Sequence, residues 1–446
     1  MNVPRWLISA ACLAATCSFA HAQPKNYLIL ASGQGKGSTS FASHLNAQVT
    51  ANLEKYGVVL VSSNDPAFAA KAAKVKGVQQ VSADPEFKWI HKETRRFASS
   101  AAPSSLPANK EPFNAYLWNL RQIGADKTSA NDILGKGARV AVLDAGMDLT
   151  NPDLTPNIDV NAAISFACYT GAPNNGCESV QPTGTTEEGT FNHGTHVGGI
   201  IAAAINGFGV QGVAPEATLI PIKVLRETGS GSFGWILQGI AYAETQNIDI
   251  ANMSLGLVFL RNPNVDCTTT ARDCNAGTLL AALNRAINHA TASGILSVIS
   301  AGNDGVDLDG QWVSIPAQSG NGMAVAATGP LNQTNFDRLA PYSNYGRSVV
   351  DIAAPGGDFT SGKAVDGVLS DGLCNSATHQ CAFYFADGTS MAAPHVAGVA
   401  ALIVGQRGHI GPAQLKSILE NTSVDILKPG ADVAGKGRVN AVAATQ

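Results

Sequence analysis

The stretch Gly388-Thr389-Ser390-Met391-Ala392-Ala393-Pro394-His395-Val396-Ala397-Gly398 decides how the rest of the chain is read. Small residues crowd a serine, and Met391 to Val404 continues as an apolar, alanine-rich run that predicts a buried helix. A serine on the first turn of such a helix has its Oγ near the positive end of the helix dipole. The backbone N–H groups there lack partners within the helix and can serve an oxyanion. A plain N-cap serine on a core helix would look the same locally, so residues upstream must decide between the two.

Two upstream settings do so. Ala138-Arg139-Val140-Ala141-Val142-Leu143 reads as a buried strand of a parallel sheet and ends in Asp144-Ala145-Gly146-Met147-Asp148. A carboxylate is thereby placed at a strand's carboxyl end, where α/β sheets carry their sites. His193-Gly194-Thr195-His196-Val197-Gly198-Gly199 opens a second small-residue helix. A serine becomes a nucleophile at neutral pH only beside a base, and the base needs a carboxylate to fix its tautomer. Asp, then His, then Ser is one of the chain orders in which this constellation recurs.

Together these three segments resemble those of the subtilisin-like serine peptidases (subtilases). Ala145 departs from the Ser or Thr usual in that family, which predicts a retuned surrounding of Asp144 with the chemistry kept. The resemblance implies an acyl-enzyme on Ser390, with His193 as base, Asp144 orienting it and Asn303, in Ser300-Ala301-Gly302-Asn303-Asp304, supplying the oxyanion hole. It implies two substrate-binding edges, Gly229-Ser230-Gly231-Ser232-Phe233-Gly234-Trp235-Ile236 and Ser254-Leu255-Gly256, between which a peptide adds as a strand. Phe233, Ile236 and Leu255 would line an apolar pocket, although helix-starting apolar residues are as often plain core. Leu257 replaces the second Gly common after that edge. Ser314 and Ala317, around Ile315-Pro316, resemble the floor of the primary specificity pocket. With no acid among those four residues, cleavage after apolar or medium-sized side chains is expected over Lys or Arg, and the bond before Pro316 is expected to be cis. His196 and His395, inside helices, read as structural.

The fold expected is α/β: a mostly parallel sheet flanked by helices, preceded by a small ferredoxin-like α+β domain. Strands are predicted at 219–224, 248–253, 295–300, 323–327 and 349–353, beside that of Asp144. Helices are predicted at 195–204, 233–245, 278–292, 390–404 and 412–421. Met1 to Ala22 reads as a secretory signal: Arg5, an apolar run from Trp6 to Phe19, then Ala20-His21-Ala22. That run is shorter than the roughly 20 residues of a membrane span, so an extracellular protein without an anchor is expected. Residues 23–97 read as an inhibitor and folding-helper prodomain, with strands at 27–30, 58–61, 78–81 and 87–90 and helices at 41–56 and 66–74; a permanent substrate-binding domain is the alternative. Residues 98–112, without periodicity, read as a linker holding the maturation site, and 113–446 as the catalytic domain. Residues 23–97 carry ten Lys or Arg against five Asp or Glu, whereas the chain's formal charge is −4 overall. Opposite charge on the two parts favours their docking.

Charged residues make up 14% of the chain, with no basic stripe for nucleic acid. There is no phosphate loop, and His193-x-x-His196 lacks the Glu of a metalloprotease helix. Six cysteines remain after export, as the close pairs Cys168/Cys177, Cys267/Cys274 and Cys374/Cys381. Six allow 15 connectivities; short separations in an oxidising compartment favour these local loops. Asp153 matches a calcium-ligand aspartate of many subtilases, but the companion loop Ile205–Val210 is one residue short. Structural calcium stays possible elsewhere, and no cofactor is required for catalysis. The chain is expected to act as a monomer on protein or peptide substrates, with its own prodomain as inhibitor. A catalytically silent binding protein on the same fold, or an esterase, are the rivals; the Gly-x-Ser-x-Gly elbow of the latter is absent at Ser390.

Overall fold

The computed structural model describes residues 24–90, 93–101, 111–168, 176–186, 189–260, 275–375, 377–378, 380–426 and 434–446. The signal segment, most of the expected linker, and Cys267 and Cys274 lie outside them.

The N-terminal part is a four-stranded antiparallel sheet built from β1 (Lys25–Ala31), β2 (Gln48–Leu53), β3 (Val58–Ser63) and β4 (Val78–Ala83), ordered β2-β3-β1-β4. One short helix, α1 (Phe68–Ala72), precedes β4. The helix expected over 41–56 is not there. A single 3-10 turn (Ser40–His44) leads into β2, which completes the free edge of β3. Leu45, Val49 and Leu53 mimic a helical stripe, but an unpaired strand edge offers this segment a full ladder of backbone hydrogen bonds. Beyond the sheet lie β5 (Phe87–Lys88) and β6 (Thr94–Ala101). β6 takes residues 98–101 out of the expected linker and into a strand.

The larger part is organised by a seven-stranded parallel sheet. Its members are among β7 (Arg139–Asp144), β8 (Ile164–Ser165), β9 (Thr218–Lys223), β10 (Ser230–Gly231), β11 (Ile250–Met253), β12 (Leu257–Leu260), β13 (Leu296–Ser300), β14 (Trp312–Ile315), β15 (Met323–Thr328) and β16 (Ile352–Pro355). The order is β16-β15-β13-β11-β7-β9-β8. The strands read as near-continuous apolar runs because helices cover both faces. Strands β12 and β14 form a separate antiparallel pair, and β17 (Val368–Cys374) and β18 (Cys381–Asp387) form a hairpin to which β6 adds as third strand. None of these three additions was expected from the sequence.

Two short helices, α2 (Trp118–Ile123) and α3 (Ala125–Ala130), precede β7. The longer ones are α4 (His193–Ala202), α5 (Phe233–Ala243), α6 (Ala276–Ala292), α7 (Thr389–Arg407) and α8 (Pro412–Asn421); α9 (Ala441–Ala444) ends the chain. Helices α4 and α7 share one core with β7, β11, β13 and β15. Helix α7 is buried from Thr389 through Val404, as a helix apolar all round must be. Helices α5 and α6 occupy the other core, which continues without a break into the N-terminal sheet. Among the described residues no helix is long and apolar enough to cross a membrane.

Candidate active site

Asp144 ends β7 and His193 begins α4, and the two meet. His193 Nδ1 lies 2.8 Å from Asp144 Oδ1 and 3.0 Å from Oδ2, with the side chains 3% and 1% exposed. The glycines around them permit this approach. A Cβ at Gly194 would stand 2.0 Å from the Gly146 carbonyl oxygen. Gly146 itself has φ +94°, the left-handed region that glycine occupies without strain. Asn192 caps α4, accepting from Thr195 N–H at 2.9 Å, and its Nδ2 donates to the Ala145 carbonyl. The buried Lys223 ammonium donates to that same carbonyl at 2.7 Å. The surroundings of Asp144 are thus held through the backbone of Ala145, whose side chain offers no hydroxyl.

Ser390 sits on the first turn of α7. Its Oγ donates to the Ser254 carbonyl at 3.3 Å, and Ser254 Oγ donates back to the Ser390 carbonyl at 2.8 Å. This second bond has a cause four residues on: Pro394 lies inside α7 and has no N–H to satisfy that carbonyl. The proline therefore ties the first turn of α7 to the segment after β11 (Ile250–Met253) that carries Ser254. Asn303 follows β13; its Oδ1 accepts from Thr389 N–H at 2.8 Å and Thr389 Oγ1 at 2.7 Å. That commits the carbonyl end of the amide and leaves the Nδ2 hydrogens to donate in the cleft that Asn303 shares with Ser390.

Both expected substrate edges are occupied, by the chain's own N-terminal residues. Strand β5 pairs antiparallel with β10, Lys88 opposite Ser230 and Phe87 opposite Gly231. Trp89 N–H and Ile90 N–H both donate to the Gly229 carbonyl, and Gly256 N–H donates to the Trp89 carbonyl at 3.2 Å. Phe233 is buried and meets Trp89 and Phe87 edge to face, with ring centroids at 4.8 and 5.5 Å. Ile236 and Leu255 are buried in the same core. Ser314 lies behind the cleft, its Oγ donating to the Ala301 carbonyl. Ala317 is not brought to the cleft; it lines a separate hollow with Thr291, Ser348 and Lys416. The Ile315–Pro316 bond is cis, as expected.

Sequence reasoning did not find Glu93. Its carboxylate stands 3.3 Å from His193 Nε2 and also engages Ser390. Burial drives the His193 imidazolium down, yet Asp144 and then Glu93 outweigh it and hold it up at about 10. Burial likewise pushes Glu93 up, and His193 overcomes it, leaving the carboxyl below its ordinary value. Asp304, on the wall of the same cleft, was also missed. His196 and His395 are buried, which lowers each to about 4. They bond the carbonyls of Tyr384 and Met391, as structural histidines do.

Cys168–Cys177 and Cys374–Cys381 are bonded. The surroundings of Asp153 do not fit a calcium ion. Asp153 Oδ2 accepts from Val210 N–H, and Glu111 Oε1 accepts from the N–H groups of Asn206 and Gly207. The loop thus turns amide donors toward the carboxylates, where calcium demands six to eight oxygens. Among the described residues no group of three or more His, Cys, Asp or Glu is arranged to hold a metal.

A family model described as the subtilase family matches residues 135–442. The chain belongs to the subtilase family. M-protease of Shouchella clausii is 35% identical over 330 residues, 74% of this chain and 70% of that protein. Subtilisin NAT of Bacillus subtilis subsp. natto is 32% identical over 378 residues, covering 85% and 80%. Among solved structures, a protease from Pseudoalteromonas arctica matches with TM-score 0.60 and 30% identity, over 76% of this chain and 99% of that one. Fervidolysin from Fervidobacterium pennivorans matches with TM-score 0.66 over 96% of this chain and 62% of that one; at 24% identity it supports the fold alone. This subtilase is a serine endopeptidase, and its fold is the α/β subtilisin type.

Proposed function

We propose that this subtilase is an exported endopeptidase made as a self-inhibited zymogen. Ser390 Oγ attacks the scissile carbonyl while His193 Nε2 takes its proton, Asp144 keeps Nδ1–H directed and stabilises the imidazolium, and the acyl-enzyme on Ser390 is released by water. Asn303 Nδ2 and the Ser390 N–H receive the oxyanion; the side-chain donor contributes roughly 3 to 4 kcal/mol, a figure that comes from subtilisin itself. Every role is filled by a residue of the chain, with no cofactor. The observation that carries the reading is the buried Asp144–His193 pair, whose Nε2 meets Glu93, a residue lining the cleft that Ser390 and Asn303 share. The zymogen reading is supported by the main-chain pairing of residues 87–90 with both substrate edges. For the residue before the scissile bond, the small wall residues Gly256, Ser300 and Gly302 favour apolar or medium-sized side chains.

The test compares the exported wild type with Ser390→Ala by intact mass and casein digestion. The wild type is expected to lose its N-terminal part and digest casein, the variant to stay full length and inert. A trimmed variant beside an active wild type would move maturation to another enzyme. Equal digestion of casein by both would remove Ser390 as nucleophile.

A further inference from the structure

Glu93 is held in register from both sides. Upstream, Trp89 and Ile90 are fixed to Gly229 and Gly256 of the substrate edges. Downstream, β6 begins at Thr94 opposite Asp387 of β18, and Thr94 N–H donates to Asp387 Oδ1 at 2.9 Å. Glu93 therefore stands beside Gly388, two residues before Ser390. The seat depends on that glycine: a Cβ at Gly388 would lie 3.1 Å from Glu93 Cγ. The side chain is only 9% exposed. Both Glu93 oxygens stand 3.3–3.4 Å from His193 Nε2, the atom that must accept the serine proton. Ser390 Oγ, meanwhile, is engaged by Glu93 and the Ser254 carbonyl.

We propose that Glu93 is a carboxylate lock on the uncut chain, which pairs with the His193 imidazolium and so slows use of the general base for as long as Glu93 stays seated. The proposal rests on the reading of Ser390 and His193 given above. A His193 that already carries a proton on Nε2 cannot take one from Ser390, so the lock acts on the chemistry as well as by filling the cleft. The other ionisable groups that sense Glu93 are His196, Asp387 and Tyr342. His196 is held neutral at ordinary pH by burial, and the other two are acids, so none of them competes with His193 as the positive partner. Asp144 approaches His193 from the opposite nitrogen and remains when Glu93 leaves. In the displaced state one carboxylate instead of two supports the imidazolium, and its proton affinity falls toward that of a working base.

The experiment refolds the full chain from denaturant at neutral pH and follows conversion to the shortened form by intact mass, for wild type, Glu93→Gln, Glu93→Asp and Glu93→Ala. Glu93→Gln keeps the shape and removes the charge, so it is expected to convert about tenfold faster or more, tenfold being the effect of one unit in the base's pKa. Glu93→Asp should stay near wild type. In full-length Ser390→Ala, adding Glu93→Gln should lower the His193 titration midpoint, read by NMR of the imidazole, by about one pH unit or more. Conversion of Glu93→Gln at the wild-type rate, with only Glu93→Ala faster, would reduce the contact to steric filling and overturn the proposal. Slower conversion of Glu93→Gln would also overturn it, since Glu93 would then be assisting the cut. A failure of the catalytic reading itself shows separately, as a wild type that digests no casein once shortened, while the NMR shift in Ser390→Ala does not depend on turnover.

Discussion

The two faces of the parallel sheet are finished in different ways. On one, α4 and α7 lie in a core whose buried members all come from the larger part, and every residue of α4 is buried. On the other, α5 and α6 share their core with the N-terminal sheet. There, Asp84 accepts from Phe233 and Gly234 N–H at the start of α5, Ser82 Oγ accepts from Asn275 N–H at the start of α6, and Tyr56 and Lys55 bond Glu244. Ser390 and His193 belong to the first face, and the edge Gly229–Gly231 leads into the second. The difference teaches that the Asp144–His193 pair is supported within the larger part, whereas the Gly229–Gly231 edge is completed by the N-terminal segment.

The comparison breaks most sharply at Ser254, which links the first face to an edge. Ser254→Ala leaves the Ser390 carbonyl, already denied a helical partner by Pro394, without its hydroxyl. An unsatisfied buried carbonyl costs about 1–3 kcal/mol, so kcat on a peptide substrate is expected to fall about tenfold with KM little changed. Adding Pro394→Ala supplies an N–H four residues on and should recover part of the loss. A double-mutant cycle measures the coupling; additive losses would show that the two residues do not share that carbonyl.

The second face is probed through its caps. In uncut Ser390→Ala, Asp84→Ala removes the acceptor for two N–H groups at the start of α5. Helix caps of this kind are worth about 1 kcal/mol, and the thermal midpoint of the uncut chain should drop accordingly. If the wild type shortens itself as proposed, the shortened enzyme lacks residue 84 and provides the contrast: its activity should be the same from either parent. An unchanged midpoint would mean that α5 is capped adequately without the N-terminal sheet.

Legibility in the sequence follows the same division. Asp144, His193, Ser390 and Asn303 could be singled out because each sits at the junction of a buried strand or helix with small residues, a pattern local to a few positions. Strands β7, β9, β11, β13 and β15 were legible for the same reason, being continuous apolar runs. Glu93 was not legible, because its place depends on two strand pairings, β5 with β10 and β6 with β18, that join residues far apart in the chain. β2 was misread as helix for a related reason, since only the edge of β3 tells that segment what to become. Ser254 carried a signal that could have been used: a proline four residues after the nucleophile announces an orphan carbonyl in need of a donor.

The smallest expected effect lies inside the first face and shows that it is not uniformly apolar. Asp153 and Asp371 are both buried and lie side by side. Burial pushes Asp371 up to about 7 against the hydrogen bonds of Asn151 and Asp153, and burial followed by the charge of Asp371 also raises Asp153. The native state therefore holds protons that the unfolded chain has released above ordinary carboxyl values. Stability from this pair is present in mild acid and lost as pH rises through about 7. Asp371→Asn keeps an acceptor for Asn151 and offers an N–H to Asp153 in place of the shared proton. The uncut Ser390→Ala chain carrying it should gain about 1 kcal/mol at pH 8, gain little at pH 5, and show a flatter fall between them by denaturant unfolding. An equal loss at both values would mean that the pair is held by packing and that its protons have no part in the stability of this face.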